Sequence, residues 1–303
     1  MQLRFILRDE GFLGGLRKIL AYRILLVFLL GATLGSGRAA AQLVDYTFAG
    51  GTGTNSGSLG SSANLTLAGG ASYVTSPALN SGDSLDVYAG GNGEANYAGT
   101  SSVVSGLADV GSTFTIAMWV NLAAAPSVSA TDRLLSTLSS SQSGGIDLSF
   151  EPGGTASNFA LTLSVNSSTA SGDSVNSVSG YSASNQWEFV AVTFDAGTVQ
   201  FYVGNTTTTA QALGSALSTT PTSVNSTGEG ALEIGGTAAS AGDRTPPGYF
   251  DDVEVFGSAL TASQVDAIQF QAVPEPRSTT LLVIGLCFLA IPLLYRRRWF
   301  IPA

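Results

Sequence analysis

Between residues 42 and 273 the apolar residues come in short bursts, and none is spaced to make a helix until the last few residues of that stretch. Val, Ile, Phe, Tyr and Trp concentrate at 43–48, 65–68, 84–88, 114–121, 133–138, 146–150, 159–165, 187–194, 199–203, 231–234 and 249–256, with Gly, Ser, Thr and Asn between them. β-Branched and aromatic residues suit a pleated, half-buried surface, while Gly and Asn supply turns. The pattern predicts an all-β chain. Asp195-Ala196-Gly197, between two strong segments, predicts a tight hairpin. In 114–120, Phe114, Ile116, Met118 and Val120 face one way and Thr115, Ala117 and Trp119 the other. The 187–194 segment is apolar on both faces, as expected of a strand covered on each side. Trp119 and Trp187 are therefore expected in the core, with sugar stacking as the alternative for each.

One helix is predicted. Thr261-Ala-Ser-Gln264 has the form of a capping box, and Val265, Ile268 and Gln269 follow at helical spacing. Many short strands with one terminal helix describe a two-sheet antiparallel β-sandwich of the jelly-roll type. Its first strand, 43–48, is expected beside its last, 249–256. No proline-rich or charged linker divides this stretch of roughly 230 residues, so it reads as one domain.

Composition narrows the chemistry. The stretch from 42 to 273 holds two of the chain's twelve basic residues, Arg133 and Arg244, against 18 of its 21 acidic ones, a net charge of −16. Nucleic-acid binding needs Lys and Arg to neutralise phosphates, so it is excluded as a function class. There is no histidine, and the one cysteine, Cys287, lies beyond this stretch. Ser-His-Asp and Cys-His catalysis, the usual zinc and haem sites and an internal disulfide are thereby ruled out. Carboxylates and backbone carbonyls remain, and these are what calcium prefers.

The two ends read as addresses. Arg4, Arg8, Arg17, Lys18 and Arg23 precede an apolar run at 24–34, and Ala39-Ala40-Ala41 offers an Ala-x-Ala cleavage site before Gln42. Residues 1–41 thus form a secretory signal with a long basic front. At the other end, Val273-Pro274-Glu275-Pro276 leads to an apolar run at 280–295 and then Arg296, Arg297 and Arg298. As a helix that run spans about 24 Å, short of the roughly 30 Å hydrocarbon core, and Pro292 weakens it. The arginines would stay cytoplasmic and place the preceding domain outside. This order of Pro-Glu-Pro, greasy segment and basic cluster resembles the PEP-CTERM sorting signal of Gram-negative bacteria that make exopolysaccharide. The resemblance implies that 273–303 is a sorting segment and that an exosortase-type protease is a partner, cutting near Pro274-Glu275-Pro276. It also implies a secreted or cell-surface protein, anchored transiently or stably by its C-terminal segment. The tail from Trp299 to Ala303 departs from the family, which usually ends at or just after the arginines.

Four further segments carry a second resemblance. Phe114-Thr-Ile-Ala-Met-Trp-Val120, Trp187-Glu-Phe-Val-Ala-Val-Thr-Phe-Asp195, Thr198-Val-Gln-Phe-Tyr-Val203 and Gly248-Tyr-Phe-Asp-Asp-Val-Glu-Val-Phe256 occur in this order, the last followed by Ser258-Ala-Leu-Thr-Ala-Ser-Gln264. Together they resemble a laminin-G-like, concanavalin A-type jelly roll over 42–272, and imply a carbohydrate-binding or adhesion-type protein without enzymatic activity. A passive coat or matrix protein is the alternative. A glycoside hydrolase on the same fold is a further one, but in the Glu-x-Asp-x-x-Glu pattern of laminarinase-type enzymes the leading glutamate is here Phe250.

The densest acidic cluster is Asp251, Asp252 and Glu254. On a regular strand Asp252 and Glu254 would share one face and Asp251 the other. Asp251, Asp252 and Asp86 are the expected calcium ligands, with Asp83 and Glu94 as further contributors. The competing reading is a charged edge strand that resists pairing with other chains. Calcium is the one cofactor expected, and extracellular polysaccharide the expected ligand.

Overall fold

A computed structural model describes residues 41–270, apart from 77, 80–81, 89–95, 127–130, 139–142, 152–158, 168–169, 182–184 and 237–244. Ala39, Glu94, Pro274, Glu275, Pro276, Arg296, Arg297 and Arg298 lie outside the described residues, and so do the sorting segment and all of the signal segment but Ala41, whose carbonyl accepts from Gly257 N at 3.0 Å.

In chain order the described strands are β1 (Gln42–Tyr46), β2 (Thr66–Ala68), β3 (Ser72–Val74), β4 (Ser84–Asp86), β5 (Tyr97–Gly99), β6 (Thr113–Leu122), β7 (Asp132–Leu138), β8 (Ile146–Phe150), β9 (Leu161–Val165), β10 (Ser174–Asn176), β11 (Trp187–Asp195), β12 (Thr198–Asn205), β13 (Gln211–Ala212), β14 (Leu217–Ser218), β15 (Glu229–Ile234) and β16 (Gly248–Phe256). A one-turn helix, α1 (Ser105–Ala108), precedes β6, and α2 (Ala262–Gln269) follows β16. One sheet runs β13-β12-β11-β6-β16-β4-β3, with β1 also on β16 and β14 on β12. The other runs β10-β9-β8-β7-β15-β5-β2. Every pairing is antiparallel, and β1 lies beside β16 as expected. The all-β sandwich with a short terminal helix is therefore what the chain forms. No described helix is long and apolar enough to cross a membrane.

The core follows from strand alternation. On β6, Phe114, Ile116, Met118, Val120 and Leu122 point between the sheets, and on β11 their partners Phe194, Val192 and Val190 do the same. Phe114 and Phe194 stack at 4.9 Å. From the other sheet come Ile146, Leu148 and Phe150 of β8 and Leu161, Leu163 and Val165 of β9. The hairpin at Asp195 closes with two residues, Ala196 (φ 45°) and Gly197 (φ 94°), the doubly left-handed turn that matches strand twist. Strands absent from the sequence reading (β3, β5, β10, β13 and β14) have only two or three residues, too few to show a period.

Helix α2 is fixed against the outer face of the β6 sheet. Its capping box is present: Thr261 accepts from Gln264 N, and the Gln264 side chain accepts from Thr261 N. Just before it, Leu260 N donates to Thr115 Oγ1 at 2.9 Å. At its far end Gln269, wholly buried, donates to Asn205 O and Thr208 O at 2.8 Å each. Gly204 makes that approach possible, because a Cβ there would sit 2.7 Å from Gln269 Nε2. Beneath, Ala117 and Ala191 are register partners, small and fully buried. All described strands and core residues lie within 42–270.

Candidate functional site

Strand β16 organises the acidic residues. Tyr249 and Phe250 pair with β4, while Val253 to Phe256 pair with β1. Between these partners the register against β6 shifts, and Asp252 takes φ 43°. An extra residue in a strand resets the alternation of faces. Asp251 lies opposite Trp119 and Glu254 opposite Ala117, which share one face of β6, so Asp251 and Glu254 both lie on the outer face. The expectation that Asp251 faces away from Glu254 is corrected by this bulge. Phe250, at the hydrolase motif's leading position, is fully buried in the core.

Burial and mutual repulsion raise the proton affinity of these carboxylates. Asp251 is 4% exposed; its Oδ2 accepts from Ala78 N and its Oδ1 from Asp252 N, each at 2.9 Å. Burial raises it to about 6 despite those bonds. Asp252 is raised to about 7, by burial first and then by Asp251 and Asp45. Glu254 faces Asp45 across the β1–β16 pair and accepts from Gln42 Nε2 at 2.8 Å. Burial, then Asp45 and Asp252, hold it well above the usual carboxylate range. Asp86 stands apart on β4, opposite Tyr249, and its Oδ1 accepts from Tyr88 N at 2.8 Å. Asp83 accepts from Thr75 Oγ1. Among the described residues no group of three or more His, Cys, Asp and Glu side chains is arranged to hold a metal ion, so Asp251, Asp252 and Asp86 are not assembled as one ligand set.

Among the described residues, the outer face of this sheet divides into a closed part and an open, half-buried end. Trp119 and Phe189 are register partners, edge to face at 5.5 Å and 1% exposed each. The chain at Ala78 reaches Asp251 on one side of them, and Gln269 reaches Gly204, the partner of Phe189, on the other. One row further, Asp86, Tyr249, Asn121 and Trp187 are successive register partners on β4, β16, β6 and β11. Three strand spacings make this row about 14 Å long. Asp86, Tyr249 and Trp187 are half-buried, as is Tyr88 nearby. Burial, then Asp86 and Tyr88, raise the Tyr249 phenol, which places those three polar ends in one neighbourhood. Asn121 is 8% exposed, and its Oδ1 has no hydrogen-bond partner among the described residues. The chain leaves the sheet at this end after β4, after β6, before β11 and before β16. Of the two expected core tryptophans, Trp119 is core and Trp187 is not. The alternation that puts Asn121 on the face of Trp119 was the available signal for this row; its neighbours depend on register, which sequence does not state.

The outer face of the other sheet is polar and closed. Ser174, Ser164, Asp147, Ser136 and Glu233 form one cross-strand row from β10 to β15, and Asn176, Thr162, Ser149 and Arg133 form the next. Arg133 meets Asp147 at 3.1 Å with side chains 5% and 2% exposed, and donates to Ser136 Oγ at 3.0 Å. Tyr97, half-buried, lies over Gly99 beside Glu233. On β15, Glu229 accepts from Thr137 Oγ1, and burial raises it to about 7.

Similar folds occur among solved structures. Domain 4 of AbnA, a GH43 extracellular arabinanase from Geobacillus stearothermophilus solved with arabinotriose, superposes with a TM-score of 0.52 and 17% identity over 76% of this chain and 98% of that one. Botulinum neurotoxin type C, in a structure concerned with its interaction with two ganglioside molecules, gives 0.51 and 12% over 75% of this chain and 50% of that one. The serotype C1 binding domain gives 0.50 and 11% over 77% and 53%. This chain thus spans about half the length of the toxin chains it resembles. No curated protein matches it by sequence. The laminin G model of the concanavalin A-like lectin/glucanases superfamily matches residues 92–266, more than half of the chain, and the chain belongs to that superfamily.

Proposed function

We propose that the domain is a carbohydrate-binding module whose site is the open row Asp86–Tyr249–Asn121–Trp187. The observation that carries this reading is the half-buried Trp187 and Tyr249 flanking Asn121, beside the carboxylate of Asp86. Aromatic faces stack on the apolar face of a sugar ring, and the amide and carboxylate take its hydroxyl hydrogens, the division of labour of ligand sites with few, well-placed polar groups. Two neighbours of the same fold are described with glycans, arabinotriose for the arabinanase domain and gangliosides for the neurotoxin, which supports the reading. The module is exported by residues 1–41, sorted through 273–303 by an exosortase-type protease and held among extracellular polysaccharide outside a Gram-negative cell. It binds and does not hydrolyse: the row holds one carboxylate, whereas glycoside hydrolysis calls on two.

Affinity electrophoresis of residues 42–272 through gels containing different polysaccharides tests this. Retardation by at least one polysaccharide, lost in both Trp187→Ala and Tyr249→Ala, is expected. Equal mobility of wild type and both variants in every gel would leave the coat-protein reading in its place.

A further inference from the structure

We infer that the open row is selective for glycans bearing free amines, that is, unacetylated amino sugars, over neutral and acidic ones. This rests on the carbohydrate-binding reading and goes beyond it to the ligand's charge. The row turns two acceptors toward a cation, the Asp86 carboxylate and Asn121 Oδ1, beside the neutral donors of Asn121, Tyr249 and Trp187. Asp86 gives one oxygen to Tyr88 N and has a second. Asn121 holds a buried Oδ1 without a donor among the described residues, an arrangement that costs stability until a donor arrives. Tyr249 and Trp187 supply faces on either side of Asn121, and aromatic faces attract cations.

The surrounding charge acts in the same direction. Asp83 and Asp251 lie behind the row on the β4 side, close enough that Asp83 contributes to raising Asp251. Arg133 is the one basic side chain among the described residues, and it is tied to Asp147 on the opposite sheet. An anionic sugar at the row meets the Asp86 carboxylate and negative potential, with no cation among the described residues to receive it. An ammonium meets a carboxylate, an amide oxygen and two aromatic faces. A charge-assisted hydrogen bond is roughly twice as strong as a neutral one, so the amine decides between otherwise similar rings.

The test is calorimetric titration of the 42–272 domain with three probes: a glucosamine trimer at a pH where its amines are protonated, its fully N-acetylated counterpart and a uronic acid trimer. The glucosamine trimer is expected to bind at least tenfold more tightly than the acetylated one, and the uronate not at all. Asp86→Asn is expected to bring the two amino-sugar probes within about twofold of each other while the acetylated one still binds. Equal affinities for the two in wild type, or uronate binding lost in Trp187→Ala, overturn the inference while keeping a carbohydrate site. Absence of binding by all three probes, with a polysaccharide panel equally silent, overturns the carbohydrate reading and this inference with it.

Discussion

Acid should stabilise this domain, and Asp252 is the residue through which to show it. An unfolded aspartate titrates near 3.9. In the folded protein Asp251 titrates at about 6 and Asp252 at about 7. Between those limits the native state binds more protons than the unfolded chain, so stability is full below about pH 4 and falls as pH rises toward 7. At about 1.4 kcal/mol per tenfold change in proton affinity, Asp251 alone corresponds to about 3 kcal/mol and Asp252 to about 4. The repulsion between them is common to both, so together they account for about 5. Asp252→Asn removes one charge and keeps the bulge, since Asn tolerates the φ of 43° found there. Relief of about 2–3 kcal/mol at pH 8 should raise Tm by about 5–10 °C in a domain of this size. At pH 4.5, where the native aspartate is already neutral, the variant should melt within about 2 °C of wild type. Thermal unfolding followed by circular dichroism at pH 4.5, 6 and 8 reads all of this. A flat wild-type profile, or a variant less stable at pH 8, would refute proton-holding by this cluster. Repeating the pH 8 melts in EDTA and in millimolar calcium separates the metal reading: a rise of several degrees in calcium, lost in Asp252→Asn, would assign these carboxylates to an ion instead.

Three other outcomes follow from the packing. Gly204→Ala, whose new methyl group meets Gln269 Nε2 at 2.7 Å, should lift the end of α2, break two hydrogen bonds and cost about 2–4 kcal/mol by urea unfolding. Trp119→Ala should cost about 3–5 kcal/mol, whereas Trp187→Ala should cost about 1 or less, so the two tryptophans separate cleanly in the same assay. Arg133→Ala, which leaves Asp147 buried without its cation, should destabilise by about 3–5 kcal/mol, while Arg133→Met paired with Asp147→Leu should recover most of that loss.

Periodicity made the sandwich legible. The alternation in 114–120, the two-faced apolar run at 187–194 and the Asp195 hairpin are all present where the residues predict them, as are the capping box at Thr261 and the neighbouring first and last strands. What sequence concealed was register. Asp251, Asp252 and Glu254 look like an alternating strand until a bulge at Asp252 turns Asp251 and Glu254 to one side, and nothing in the letters marks that extra residue. The open row is invisible for the same reason: Asp86, Asn121, Trp187 and Tyr249 come from four distant strands and meet only through pairing. Trp119 and Trp187 read alike in sequence, each at the edge of an apolar segment. They part because Trp119 lies between the contacts of Ala78 and Gln269, and Trp187 begins its strand beyond them.

The domain from 42 to 272 contains two tryptophans, one sealed in the core and one on the open row, which makes intrinsic fluorescence the most direct probe of glycan binding. Titration with a polysaccharide that retards the domain is predicted to shift the emission to shorter wavelength and protect it from acrylamide, with Trp187→Phe removing both changes. Emission and quenching that stay constant with every bound polysaccharide, or that change equally in Trp187→Phe, would contradict binding at the Asp86–Tyr249–Asn121–Trp187 row.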